Sequence, residues 1–193
     1  MKAAVLLAAG LSTRFTGPNK LLLPFRDRPM IGWAAEAFGL APVDKRVLVT
    51  GRDQSPITQA VSTYCGARFQ SVHNETPETG FADSLKMGLA QVATADWTLV
   101  LMADMPDVAA PLLQDLFAAA EPDAYAVTPA LAGAWGSPVI LSAEAAGDAA
   151  ALQGDRTVWP LLQARRAEVA ILPVQSKAIF RDIDWPSDLN GAV

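Results

Sequence analysis

Ala3-Ala4-Val5-Leu6-Leu7-Ala8-Ala9-Gly10, continued by Leu11-Ser12-Thr13-Arg14-Phe15-Thr16-Gly17-Pro18-Asn19-Lys20, is the stretch on which the fold and the chemistry of this chain turn. The unbroken apolar run Ala3 to Ala8 predicts a strand buried on both faces, as inside a parallel sheet. Gly10 predicts a tight turn straight off that strand, with the freedom to take a positive φ. Past it, small side chains leave backbone N–H groups free to face anionic oxygens. Ser12 and Thr13 offer hydroxyls, Arg14 a forked guanidinium and Lys20 a compact ammonium, both suited to phosphate. On composition alone the segment reads equally as an anion-binding loop or as an ordinary strand-to-helix connection with two solvated cations.

Working outward, strand-like and helix-like stretches alternate. Pro29 to Leu40 predicts a helix, with Ile31, Ala34, Ala35 and Phe38 at helical spacing. Arg46 to Thr50 is a second strand closed by Gly51. Pro56 to Tyr64 is a second helix, with Ser55 as its N-cap and Pro56 at its first position. Arg68 to Val72 is a third strand, and Ala82 to Ala93 a helix with Leu85, Leu89 and Val92 on one face. Thr98 to Ala103 is an apolar strand ended by Asp104-Met105-Pro106. Beyond it the pattern loosens into a helix over Leu112–Ala120, strands over Ala124–Ala130 and Pro138–Leu141, a helix over Thr157–Arg166 and a last strand over Val169–Val174. Such alternation implies an α/β fold: a single domain over 1–193 whose mostly parallel central sheet is flanked by helices. Ligands of such sheets bind beyond the carboxyl ends of the strands. That directs attention to the loop after Ala8 and to the turn at Asp104.

Composition narrows the function classes. A formal net charge of −5 argues against broad nucleic-acid binding, so a phosphate-rich ligand needs local cations or a metal. Cys65 is the only cysteine, which rules out an intramolecular disulfide and a cysteine-based metal cluster and fits a reducing, cytoplasmic setting. Met1-Lys2 and the apolar run after them have the outline of a short signal peptide. No small-residue cleavage site precedes a mature start, however, and Arg14 and Lys20 follow at once, so the run reads as a buried strand. No apolar run approaches the ~20 residues of a membrane helix, so no membrane partner is expected.

Two nucleotide motifs are missing. There is no Gly-x-Gly-x-x-Gly and no Gly-x-x-x-x-Gly-Lys-Ser/Thr. A third pattern is present: Leu7-Ala8-Ala9-Gly10-x-Ser12-x-Arg14, then Gly17, then Asn19-Lys20-Leu21-Leu22. It resembles the signature of the MobA-like nucleotidyltransferases, and within them the molybdenum cofactor cytidylyltransferase branch. Asn74, Gly80 and Ser84-Leu85-x-x-Gly88-Leu89 resemble the family's segment beside the nucleotide. Leu101-x-x-Asp104-Met105-Pro106 is similar to its metal-binding strand end. Gly136-x-Pro138-Val139 and Leu152-x-Gly154-Asp155 resemble its substrate side, and Asp182-Ile183-Asp184-x-Pro186-x-Asp188-Leu189 its C-terminal motif. The sequence departs from the pattern at Phe15, where methionine is usual, at Arg156-Thr157-Val158 after the Gly-Asp pair, and at Trp185, where threonine is common.

The resemblance implies a Rossmann-like nucleotidyltransferase fold and a loop that wraps a triphosphate, with Leu7, Ala8, Ala9, Gly10 and Ser12 beside the nucleotide and Arg14 and Lys20 on its phosphates. It adds Asn74 and Ser84 to the nucleotide contacts. Asp104 and Asp184 become the ligands of Mg²⁺, and Arg14, Lys20 and Asp104 the catalytic groups. Ala9 stands where guanylyltransferases usually carry a second glycine and so implies CTP. The acceptor implied is a pterin-type phosphate of the molybdopterin kind, and the downstream partner a molybdoenzyme or its chaperone.

The residues themselves support a metal reading. Nucleotidyl transfer sets an anionic nucleophile against an anionic phosphate, and a divalent cation relieves that repulsion. Asp104 ends an apolar strand, where a charge has no packing role; the alternative is a carboxylate capping the next helix, as Asp107 does before Ala109. Asp182 and Asp184 are expected to alternate along a strand, so only one can face Asp104. Asp188 is expected in the first turn of a terminal helix. His73 and Cys65 read as structural residues, while Trp135 borders a possible substrate pocket. Arg156, Arg165, Arg166, Lys177 and Arg181 are candidate anion contacts that read more simply as surface charges. Two other functions stay open: GTP or a sugar- or isoprenoid-type phosphate as substrate, and a non-catalytic cofactor carrier.

Overall fold

The computed structural model describes residues 1–191; residues 192–193, included in the expected domain, lie outside the described residues. Strand β1 (Lys2–Ala8) leads through a small hairpin of β2 (Pro24–Phe25) and β3 (Arg28–Pro29) into helix α1 (Met30–Leu40). Then come β4 (Lys45–Thr50), α2 (Gln54–Cys65), β5 (Gln70–His73), α3 (Phe81–Ala90) and β6 (Trp97–Met102). The second half holds α4 (Ala110–Ala118), β7 (Ala126–Leu131), β8 (Ala134–Trp135), β9 (Val139–Ser142), α5 (Ala143–Ala150), α6 (Trp159–Ala164) and β10 (Val169–Pro173).

The sheet runs in the order β10-β7-β9-β6-β1-β4-β5, with β8 attached to β7. β1 lies at its centre, paired in parallel with β4 and with β6. Its apolar run serves both faces by strict alternation. Ala4, Leu6 and Ala8 enter the core under α1, α2 and α4, together with Ile31, Phe38, Leu113 and Leu116. Ala3, Val5 and Leu7 enter the core under α3, α5 and α6, with Leu85, Leu89, Ala145 and Leu162. A period of two with both faces covered is why no polar residue interrupts this strand.

After β1 the chain crosses to β4 and β5 on one side; after β6 it fills the other side. The crevice between the carboxyl ends of β1 and β6 is therefore the topological switch point of the sheet.

The structure departs from the sequence expectations in several places. β9 runs antiparallel to β6 and to β7, which a short apolar run cannot announce. Helix α5 was not expected. It is alanine-rich, buries only Ala145 and Ala149, and therefore shows little face contrast. Its available signal was Ser142, whose side chain accepts from the Ala145 amide as a true N-cap. Ser55 is not a cap: α2 starts one residue before it, after Asp53 at φ 62, with no side-chain bond. Residues 181–184 form no strand but an extended segment laid along residues 104–107. Most shared elements begin or end one to three residues from the expected positions, because frayed ends depend on tertiary neighbours. No helix among the described residues is long and apolar enough to cross a membrane.

Candidate active site

A cleft of about 320 Å³ opens at the switch point, lined by residues 7–15 of the first loop and by Lys20, Ser84, Asp104, Asp155 and Asp184, among others. The loop is built by its own side chains. The Phe15 amide bonds the Ser12 carbonyl in a turn that puts Ser12, not Gly10, at positive φ (53°). The expected turn thus falls two residues later. Phe15 is buried in the core and anchors the loop. The Ser12 hydroxyl accepts from the Lys20 amide and donates to Asn19 Oδ1, which also takes the Leu21 amide. Ser12 therefore closes the loop with its hydroxyl, which the sequence reading had offered to anionic oxygens.

This closure sets Lys20 on the floor of the cleft. Its side chain is only 9% exposed, and its ammonium donates to Asp104 Oδ2 at 2.8 Å, the Ile183 carbonyl at 2.8 Å and Asp184 Oδ1 at 3.1 Å. Burial alone would lower the pKa of Lys20, but the charge and hydrogen bonds of Asp104, then of Asp184, outweigh it and raise the value above 10.5. A buried ammonium needs such partners, because an uncompensated charge in this environment costs several kcal/mol. Arg14 closes the cluster from outside: its guanidinium reaches Asp184 Oδ2 at 2.7 Å and lies 5.2 Å from the centre of the Trp185 ring. The segment carrying Asp184 is held by three bonds: the Ile183 amide donates to the Asp104 carbonyl, and Asp188 accepts the amides of Asp184 and Trp185.

Asp104 Oδ1 is buried and has no hydrogen-bond partner. Among the described residues no group of three or more His, Cys, Asp or Glu side chains stands together for a metal ion. Two carboxylates are nevertheless what Mg²⁺ commonly takes from a protein when phosphates complete its oxygen shell. The orphaned Asp104 Oδ1, beside Asp184, fits that requirement. Asp182, expected to face away, lies close enough to feel both charges: burial, then Asp184 and Asp104, raise its pKa above the ordinary 3.8.

Of the residues singled out in the sequence, Leu7, Ala8, Ala9, Gly10, Ser12, Arg14, Lys20, Ser84, Asp104 and Asp184 all line the cleft. Asn74 sits behind it: its amide donates to Ser84 Oγ and its oxygen accepts the Thr76 amide. Asp155, from the motif that resembles the family's substrate side, joins the lining with Pro77 and Phe81. Asp107 is not the cap expected for the next helix but bridges Arg26 and Arg181 at 2.6 and 2.5 Å. Arg165 pairs with Glu144 and Glu168, and Arg166 lies over Trp135, so those cations are committed to surface packing. His73 ends β5, and burial raises the pKa of the Cys65 thiol, which does not suit that thiol to nucleophilic work.

A glycine loop at the switch point, facing paired carboxylates and two cations, defines a nucleotide-handling α/β enzyme. Residues 4–169 match the MobA-like NTP transferase domain, and the chain belongs to that family of nucleotidyltransferases. It is 35% identical over 112 residues to the bifunctional protein GlmU of Sinorhizobium fredii, covering 56% of this chain and 24% of that one. It is 30% identical over 116 residues to the probable molybdenum cofactor guanylyltransferase of Haloferax mediterranei, covering 60% of this chain and 53% of that one. The matched stretches thus span about a quarter and about half of these curated relatives. The crystal structure of Rv0371c from Mycobacterium tuberculosis in complex with manganese superposes with a TM-score of 0.80 at 28% identity, covering 99% of this chain and 97% of that one.

Proposed function

We propose that this nucleotidyltransferase moves CMP from CTP to the phosphate of a molybdopterin-type pterin, releasing pyrophosphate with the help of Mg²⁺. The observation that carries the reading is the Lys20–Asp104–Asp184 cluster at the floor of the cleft. An acceptor phosphate oxygen attacks the α-phosphorus in line, a P–O–P bond forms, and the bond to the β-phosphate breaks. Mg²⁺ held by Asp104 and Asp184 would neutralise phosphate charge and act as a Lewis acid. Lys20 and Arg14 steady the triphosphate, and the loop amides from Ala9 to Thr13 face its oxygens. Asn74 holds Ser84 in place against the nucleotide.

Ala9 supports the choice of base. It lines the cleft and stands where guanylyltransferases of the resembled family usually carry a second glycine. The acceptor is supported by the match to the molybdenum cofactor guanylyltransferase and by the order of the motifs, and a molybdoenzyme or its chaperone would receive the product. We place the reaction in the cytoplasm and in one domain spanning residues 1–193.

The test is pyrophosphate release with molybdopterin, Mg²⁺ and each of the four nucleoside triphosphates in turn. CTP is expected to lead by about tenfold or more. A lead by GTP would overturn the base assignment. CTP binding without pyrophosphate release would leave a carrier rather than an enzyme for this acceptor.

A further inference from the structure

We propose that Lys20 is the built-in counter-cation of the metal site: its ammonium holds the Asp104–Asp184 pair together and yields that pair to the divalent ion as the triphosphate draws it away. The inference rests on the metal reading of these two carboxylates.

Three contacts carry it. The ammonium stands between the carboxylates, on Asp104 Oδ2 and Asp184 Oδ1. Both oxygens of Asp184 carry a cation's hydrogen bond, one from Lys20 and one from Arg14, so a divalent ion arriving on Asp184 would stand against two positive groups. Asp104 Oδ1, by contrast, is buried and unpartnered and offers a first ligand that no protein donor competes for. A divalent ion on Asp104 and the ammonium would then share one carboxylate at close range, and like charges in a buried site repel strongly. Lys20 can leave without unfolding the loop. Its backbone is pinned by Ser12 and Leu23, so only the four-carbon stem has to turn. Of the two carboxylates Arg14 touches only Asp184, and it is half-exposed, so it is not the cation between the pair. Metal and nucleotide therefore load together, and metal alone binds poorly.

The experiment measures Mn²⁺ binding without nucleotide, by the electron paramagnetic resonance signal of the free ion. Lys20→Met is expected to bind Mn²⁺ about tenfold or more tightly than the wild type, within the usual span of coupling between sites. Lys20→Arg should stay near the wild type, Arg14→Met should gain less than Lys20→Met, and Lys20→Met combined with Asp104→Asn should lose the gain. Equal or weaker binding by Lys20→Met overturns the exchange while leaving the metal site standing if Asp104→Asn abolishes wild-type binding. No binding in any form, with CTP present as well as without it, removes the metal assignment itself. Should Lys20→Met fail to fold, acetic anhydride labelling of the wild type decides: saturating Mn²⁺ should raise the reactivity of Lys20 relative to exposed Lys86, and no rise overturns the proposal.

Discussion

Gly80 lies so close to Gly154 that a Cβ built on it would stand 2.4 Å from the Gly154 carbonyl carbon and 2.8 Å from Asp155 Oδ1. The Ala82 amide bonds the Gly154 carbonyl at 2.9 Å, so this contact seats the loop carrying Asp155 on the amino end of α3. Gly80 also has φ 117, a conformation that L side chains rarely adopt. Gly80→Ala should destabilise the protein by about 2 kcal/mol or more, from backbone strain and the displaced loop. Urea unfolding checks the stability, and a raised KM for the nucleotide checks the displacement of Asp155. Gly10→Ala is the control for strain, since its Cβ would meet nothing within 4 Å and its unfolding curve should barely move.

Asp104 should be the most sensitive carboxylate. Asp104→Ala removes the orphaned oxygen and one of the two counter-charges of Lys20. Turnover should fall at least ~10²-fold, as when one electrostatic stabiliser is removed from an active site. Wild-type turnover at saturating Mg²⁺ would sink the assignment.

Asn74 is expected to act through Ser84 and the turn at Thr76. Asn74→Ala leaves the buried Ser84 hydroxyl and the Thr76 amide without their partners. The cost should be about 1–3 kcal/mol in chemical unfolding. Ser84→Ala in the same background should add little to that loss, because the two side chains work as a unit; fully additive losses would refute the coupling.

Asp182 makes stability depend on pH in an unusual direction for a carboxylate. Its folded pKa is raised above 3.8 by burial and by the neighbouring charges of Asp184 and Asp104. The folded state therefore holds the proton more tightly than the unfolded chain does. Its contribution is fully present below 3.8 and is lost as pH rises through the raised folded value. Asp182→Asn, which stays neutral, should raise the Tm at pH 7 relative to the wild type and leave the difference small at pH 3.5. A melting-temperature series across that range reads the effect, and a mutant less stable than the wild type at pH 7 would count against it.

The first strand was legible because burial on both faces leaves a local mark: every residue from Ala3 to Ala8 must be apolar, whatever its partner strands. The apolar run before Asp104 was legible for the same reason. α5 and the true cap of α2 were not, since small residues and a left-handed Asp53 carry little periodic signal. In the site, residue type and order marked the loop, Ser84, Asp104 and Asp184. Asp155 was legible only as part of a substrate-side motif, because what brings it to the cleft is a close backbone contact with Gly80, which no spacing encodes.

By itself the sequence determined the α/β alternation and the central buried strand, because burial and turn chemistry act through near neighbours, while the residues that meet at its end were legible through their resemblance to a family's motif order. Only the tertiary structure decided that β9 runs backward beside β6, that Ser12 closes the loop instead of facing it outward, and that one ammonium lies between Asp104 and Asp184. The Ser12 closure spans eight residues of one loop, but the ammonium contact spans 164 and arises only when the sheet brings strand ends together.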